Sequence, residues 1–408
     1  MTAINSSIHS GLLPHLTHSL SISLLPADAK LVALNHWLAD EARALGFAAC
    51  GVVRPDHPIF AKQLNALQDW LADGKQGEMT FFKQNHDKRA NPALLVEGTQ
   101  SIISVRLDYS VEPPPRRCIP DNERPNHGII ARYARGRDYH KIMRGRLKTL
   151  ATRLYDKLKS DYPDYAEGFI FRPFSDSAPI FERALAEQAG LGWTGKHTLL
   201  INREAGSLFV LGELFTSVPL PPTQAEGTVT LSHCGSCRAC IDVCPTQAIQ
   251  PTSSGGYAVD ARLCISYLTI ELDGAIPLAL RDKIGNRVFG CDDCQLICPW
   301  NKFAKLATIN DFDPRHDLDK LSLLQLWAWD ETTFLGNTEG SPLRRTGYQN
   351  FMRNVAVALG NAPFSEHIIE ALIAKRPSLG DNAQHHIDWA LSQQYAKQQG
   401  KQDQTKRT

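Results

Sequence analysis

The feature that most constrains this chain is a run of cysteines, Cys234-Gly-Ser-Cys237-Arg-Ala-Cys240-Ile-Asp-Val-Cys244-Pro245. It is followed by Cys264 and by a shortened copy, Cys291-Asp-Asp-Cys294-Gln-Leu-Ile-Cys298-Pro299. Thiols this close in sequence are poorly placed to bridge one another and well placed to converge on one inorganic centre. The C-x2-C-x2-C-x3-C-P spacing lets three thiolates hold three corners of a cubane while the cysteine before proline ligates the other cluster. That rule assigns Cys234, Cys237, Cys240 and Cys298 to one [4Fe–4S] cluster. Cys244, Cys264, Cys291 and Cys294 then hold the second, with no cysteine of the segment left over. Two structural zinc sites are the alternative, but zinc favours separated C-x2-C pairs, and the close triple and both Cys-Pro pairs argue against it. Cys50 and Cys118 stand apart and are expected to be ordinary small apolar residues.

Two neighbouring clusters make a wire without saying where it leads. The segment is a small part of 408 residues, so the rest must hold an acceptor or substrate, or else the chain is an electron-transfer subunit. Whole-molecule charge does not choose, because 44 Lys plus Arg against 43 Asp plus Glu leaves +1. No uninterrupted apolar run approaches the ~20 residues that span a bilayer, so no membrane partner is expected. Residues 1–28 carry neither a basic n-region nor a twin-Arg pair and read as a flexible Ser/His-rich extension on a cytoplasmic protein.

From 29 to 225 helical patterns (29–46, 59–73, 139–159, 178–189) alternate with strand-like runs (48–53, 101–107, 168–171, 197–201, 207–215). This predicts an α/β or α+β domain. A Pro-rich linker leads into a ferredoxin-type domain over 226–304. A small helical, HEAT-like unit over 305–395 and a polar, fraying tail over 396–408 complete the chain.

Two further features carry chemistry. In FSDSAPIFERALAEQAGLGWTGKH (174–197), Asp176 sits at an expected helix start. There it is either a cap for free backbone N–H groups or a proton donor at a pocket mouth. Between Arg116 and Lys148, ten Lys/Arg face three acids with Tyr133 and Tyr139 interleaved. This is a phosphate-binding stripe or simply a solvated surface.

The block Asp176–Lys196, together with RLCISYLTIE (262–271) and KIGNRVFGCDDCQLICPWNK (283–302), resembles the epoxyqueuosine reductase family over roughly 30–395. The resemblance implies a monomeric cobalamin-dependent enzyme completing queuosine at the tRNA wobble position. Its two clusters would be fed by an external low-potential donor of flavodoxin or ferredoxin type. Asp176 matches the family's proton donor and a cobalamin contact. Arg89, Ala131, Ser266 and Asp292 match further corrin contacts, and Arg344, Arg345 and Arg353 fall where the C-terminal helices would hold tRNA. Lys196 and His197 share the block without an assigned role.

No D-x-H-x-x-G signature is present, so the cobalamin is expected base-off, with His140 an ordinary capping or surface residue. Burial beside an apolar ring is expected to raise the pKa of Asp176. A reductive-dehalogenase-like enzyme acting on a small molecule is the runner-up, disfavoured by the basic stripe and by the missing export signal.

Overall fold

The computed structural model describes residues 27–113, 124–225, 228 and 231–405. Nearly all of the N-terminal extension, Cys118 and the 116–117 end of the basic stripe lie outside the described residues.

An antiparallel four-stranded sheet runs in the order Ala49–Val53, Ser101–Asp108, Phe209–Thr216, Phe171–Phe174. Its two central strands pair along their whole lengths, Ser101 opposite Thr216 and Asp108 opposite Phe209. With no parallel neighbour in this sheet, the alternation of helices and strands makes an α+β unit. Helix Tyr139–Asp161 lays Met143, Leu147, Leu150, Leu154 and Leu158 on one face of the sheet, the i, i+4, i+7 spacing of a buried stripe. Contact is so close that a Cβ at Gly212 would meet Met143 Cγ at 2.5 Å. On the opposite face a Cβ at Gly51 would meet Ala189 O at 2.1 Å, just past helix Glu182–Gln188. Both glycines are therefore set by packing rather than by turn geometry.

Three local expectations shift. The strand expected at 168–171 forms at Phe171–Phe174, after a turn at Gly168 with φ +66°. HTLLI contributes only Leu200–Ile201. The helix expected from 178 starts at Glu182, because residues 175–180 form the loop that carries Asp176.

Helix Tyr348–Asn361 is the hub of the C-terminal half, buried continuously from Phe351 to Gly360. It packs on helix Asp381–Thr405 and on strand Arg287–Phe289 from the cysteine segment. The tail expected to fray is instead helical to Thr405. One reason is that Lys397 Nζ reaches back to the carbonyls of Gly360 and Ala362, both at 2.6 Å, closing the end of the hub helix.

Arg353, expected on a tRNA-binding surface, is wholly buried. Its guanidinium donates to the carbonyls of Leu268 (3.0 Å), Leu272 (2.7 Å) and Gly274 (2.7 Å) and to Asn354 Oδ1. The residue is a rivet between the helical unit and helix Ile265–Ile270, which follows Cys264. Arg353→Ala would strand three carbonyls, that of Leu268 buried and those of Leu272 and Gly274 partly so, and leave a cavity in the core. We expect a loss of about 3 kcal/mol or more in a denaturant titration, without a specific loss of tRNA affinity in the folded fraction.

Candidate active site

The cysteines gather as two adjoining nests. Cys234, Cys237, Cys240 and Cys298 border one cavity of about 760 Å³. Burial, then the nearby Cys298, Cys234 and Cys237, push the Cys240 thiol up to about 11. Cys294 is pushed well above the ordinary thiol value by burial and then by Cys264, Cys240 and Cys244. The two nests therefore meet at Cys240 and Cys294. Among the described residues no three such side chains close on a point, as a lone ion would require; the thiols surround a space.

Local structure sets each ligand. Cys240 rides helix Ala239–Val243, Cys264 caps helix Ile265–Ile270, and Cys298 precedes Pro299 at the head of a 3-10 turn. Lys196, without a role in the motif, braces the first loop by donating to the carbonyls of Gly235 (2.7 Å) and Cys237 (2.8 Å).

The first nest also offers donors suited to a sulfur-rich anion. His197 is buried in the wall of that cavity. Its Nδ1 accepts the Leu199 N–H, so Nε2 carries the proton and has no partner. Burial, then the charge of Arg183, pull its pKa down to about 4, so the ring is neutral. The indole Nε1 of buried Trp193, packed with Cys298, is likewise unpartnered. Donors aimed at cluster sulfurs raise reduction potential. His197→Phe should lower the midpoint potential of this cluster by about 60 mV, one charge-assisted hydrogen bond for one electron, read by a redox titration.

The second nest opens on a different cavity. A recess of about 340 Å³ is walled by Trp70, Met79, Phe82, Tyr133, Tyr267 and Phe289, and Cys264, Ser266, Asp176 and Arg345 all line it. Asp176 holds φ +49°, a left-handed conformation that Asp tolerates better than most residues. Its N–H donates to Glu182 Oε1, which pins the loop. Tyr139 Oη donates to Asp176 Oδ2 at 2.6 Å, and His140 Nε2 lies 3.5 Å from the same oxygen. His140 Nδ1 is 2.7 Å from Asp138 Oδ1.

This geometry corrects three expectations. Asp176 is not a helix cap; its carboxylate faces the recess with its side chain 58% exposed. Its pKa is not raised. Desolvation by the surrounding recess pushes it up, but the hydrogen bonds of His140 and Tyr139 and the charges of His140 and Arg345 outweigh that and hold it below the ordinary range. His140 is neither surface nor mere cap. Burial opposes its charge, yet Asp138 and then Asp176 win and push it up to about 9, so at neutral pH the pair is imidazolium and carboxylate. Behind them Glu182 is pushed up to about 8, by burial and then by Asp176.

The basic stripe also resolves differently. Tyr133 and Tyr139 line the recess, and Arg132 and Arg135 pair with Glu112. Arg137 remains exposed. Of the other arginines, Arg344 is exposed and donates to Leu335 O, while Arg345 sits at the recess, 3.8 Å from Glu271. Among the corrin candidates only Ser266 and Asp176 line the recess. Ala131 and Asp292 are buried beside each other, the Arg132 N–H donating to Asp292 Oδ2 at 2.8 Å. Arg89 is buried 5.2 Å from the Phe82 ring, its Nε without a partner.

Residues 233–301 match the family model described as 4Fe-4S double cluster binding domain. With an acid-bearing recess beside the second nest, they define an iron–sulfur oxidoreductase carrying two [4Fe–4S] clusters, and the zinc alternative falls. Residues 89–177 match the model described as Epoxyqueuosine reductase QueG, DUF1730. An epoxyqueuosine reductase of Pseudomonas aeruginosa is 48% identical over 372 residues, 91% of this chain and 97% of that one. The chain belongs to the epoxyqueuosine reductase family.

Solved structures agree. One is an epoxyqueuosine reductase with a tRNA-Tyr epoxyqueuosine-modified stem loop (25% identity, TM-score 0.71, 90% of this chain and 100% of that one). Another, from Bacillus subtilis, has its catalytic Asp loop swung out of the active site (26% identity, TM-score 0.69, 89% and 99%). Among the described residues no helix is long and apolar enough to cross a membrane.

Proposed function

We propose that this chain reduces epoxyqueuosine to queuosine at the wobble position of tRNA, with a base-off cobalamin seated at the recess and fed by the two clusters. The observation that carries this reading is that Cys264, a ligand of the second cluster, and Asp176 line the same recess. Electron supply and proton supply thus open on one space. Opening an epoxide to an alkene takes two electrons and two protons, breaks both C–O bonds and releases water. No side chain supplies such electrons, so a bound cobalamin would supply the reducing cobalt centre.

The residues present suit that group. Aromatic and aliphatic side chains make up most of the wall, Ser266 lines the recess, and Arg89 holds an unpartnered Nε beside Phe82. Ala131, whose N–H donates to Phe289 O, and buried Asp292 would act on it only through the recess wall. Both nitrogens of His140 are engaged by carboxylates, consistent with a corrin that takes no protein histidine. A volume of 340 Å³ takes part of such a cofactor, not the whole.

The protein's own work is protonation and positioning. Asp176 delivers a proton to the epoxide oxygen as the C–O bond breaks. In the resting pair that proton is stored on His140, 3.5 Å away, and Tyr139 aligns the carboxylate. Glu182, its pKa raised by burial, accepts the Asp176 N–H and so holds the loop from behind. Arg345 at the mouth and exposed Arg344 are the candidates for tRNA phosphates. Titrating cobalamin into anaerobic protein with both clusters loaded tests the seat. A base-off spectrum at one equivalent is expected; no binding, or a histidine-ligated spectrum, contradicts it.

A further inference from the structure

The two cavities share no lining residue, and they differ in what surrounds them. The second nest faces an aromatic recess built for a substrate and an acid. The first nest faces outward. Cys237 is exposed, and its cavity is rimmed by Lys196, Arg203, Lys302 and Lys305 against the single carboxylate of Glu204. Lys196 is occupied by the cysteine loop. Arg203, Lys302 and Lys305 are exposed and form no ion pair among the described residues, although Lys305 acts on the buried Asp108, itself paired with Arg106. Between the lysines stands Phe303, 41% exposed, with Lys302 Nζ 4.7 Å from its ring centre, and Leu306 beside them is 48% exposed.

Unpaired cations around an apolar centre suit a transient protein partner. Like charges held close cost folding free energy, a cost removed when an anionic surface covers them. Rim charge steers encounter, while the apolar centre gives the brief contact that electron transfer needs from a small, weak interface.

We propose that this face, centred on Phe303 and rimmed by Arg203, Lys302 and Lys305, is the docking surface of the electron donor, a small acidic one-electron carrier protein. Electrons enter at the cluster of Cys234, Cys237, Cys240 and Cys298. They leave through the cluster of Cys244, Cys264, Cys291 and Cys294 toward the recess. Each docking event oxidises one carrier by one electron, and two events supply the pair consumed per epoxide. Transfer RNA is the competing polyanion. It is disfavoured because its modified base must reach the Asp176 recess, whose walls contribute nothing to this rim. The proposal rests on the two-cluster reading of the function and specifies where its donor binds.

The test uses the full chain with both clusters loaded. Reduced flavodoxin is mixed with it by stopped flow, and bleaching of the cluster absorbance is followed from low to high salt; flavodoxin binding is measured separately by calorimetry. Wild-type rates should fall at least ~10-fold as salt screens the encounter. A variant carrying Arg203→Glu, Lys302→Glu and Lys305→Glu should be ~100-fold slower at low salt, bind flavodoxin correspondingly more weakly and lose the salt dependence. The milder Gln replacements at the same three positions should fall between.

Reduction by methyl viologen radical, viologen-driven turnover and affinity for an epoxyqueuosine stem loop should all match wild type. Unchanged flavodoxin kinetics in the Glu variant would overturn the proposal. So would a loss of stem-loop affinity with donor rates intact, which would make the face an RNA surface. Equal slowing with viologen would also overturn it. Because viologen needs no docking face, wild-type protein that fails to turn over with viologen refutes the functional reading and leaves the docking measurement standing.

Discussion

Asp176→Asn should leave iron content and cobalamin binding at wild-type levels and cut turnover of epoxyqueuosine tRNA by about 10²- to 10⁴-fold, the usual worth of a positioned proton donor. The isosteric amide can still accept the Tyr139 hydrogen bond but cannot relay a proton from His140. The pH dependence separates this role from a structural one. His140, raised to about 9 from an ordinary 6.5, contributes stability that is complete below 6.5 and lost as pH rises through about 9. Asp176, whose value is lowered, contributes stability present above the ordinary carboxylate range and lost in acid. The charged pair therefore persists across neutrality. Wild-type turnover should decline above about pH 9, where the stored proton leaves His140. In the Asn variant His140 should titrate at a lower pH, with only Asp138 left to hold the imidazolium, and the residual activity should no longer follow that titration. A pH–rate profile of both proteins checks this.

Cys264→Ala should have a comparably large effect by a different route. This residue stands at the N-terminal end of helix Ile265–Ile270 and lines the recess, so loss of its thiol removes the cluster nearest the substrate while the outer nest keeps all four ligands. Iron per chain should fall by about half. Flavodoxin or viologen should still bleach the remaining cluster, and turnover with either should vanish. Retained turnover would show that electrons reach the substrate by another path.

The two nests are legible in the cysteine spacing, because ligand geometry in such clusters is carried by local sequence. Helix Tyr139–Asp161 was equally legible, its buried stripe repeating at the helical period. The site around Asp176 was not. Asp-Tyr-His at 138–140 looks like a helix cap, and Asp138 does cap; only the fold swings Tyr139 and His140 onto a carboxylate 37 and 36 positions away. That approach also reversed the expected direction of the Asp176 pKa, since a cationic neighbour outweighs burial. Arg353 misled for a related reason. Its neighbours Arg344 and Arg345 are at the surface or a cavity mouth, but a helix turned inward buries the third arginine among carbonyls. Charge clustering along the chain does not reveal which arginines stay wet.

The most direct test of the central claim, that electrons and a proton converge on a cobalamin seated at the Asp176 recess, is anaerobic conversion of epoxyqueuosine-bearing tRNA. The cluster-loaded chain, with reduced methyl viologen in excess as the electron source, would be assayed with and without added cobalamin, reading queuosine by mass spectrometry of the digested RNA. The account predicts stoichiometric queuosine with cobalamin and none without it. Conversion by cobalamin-free protein at an undiminished rate would contradict it.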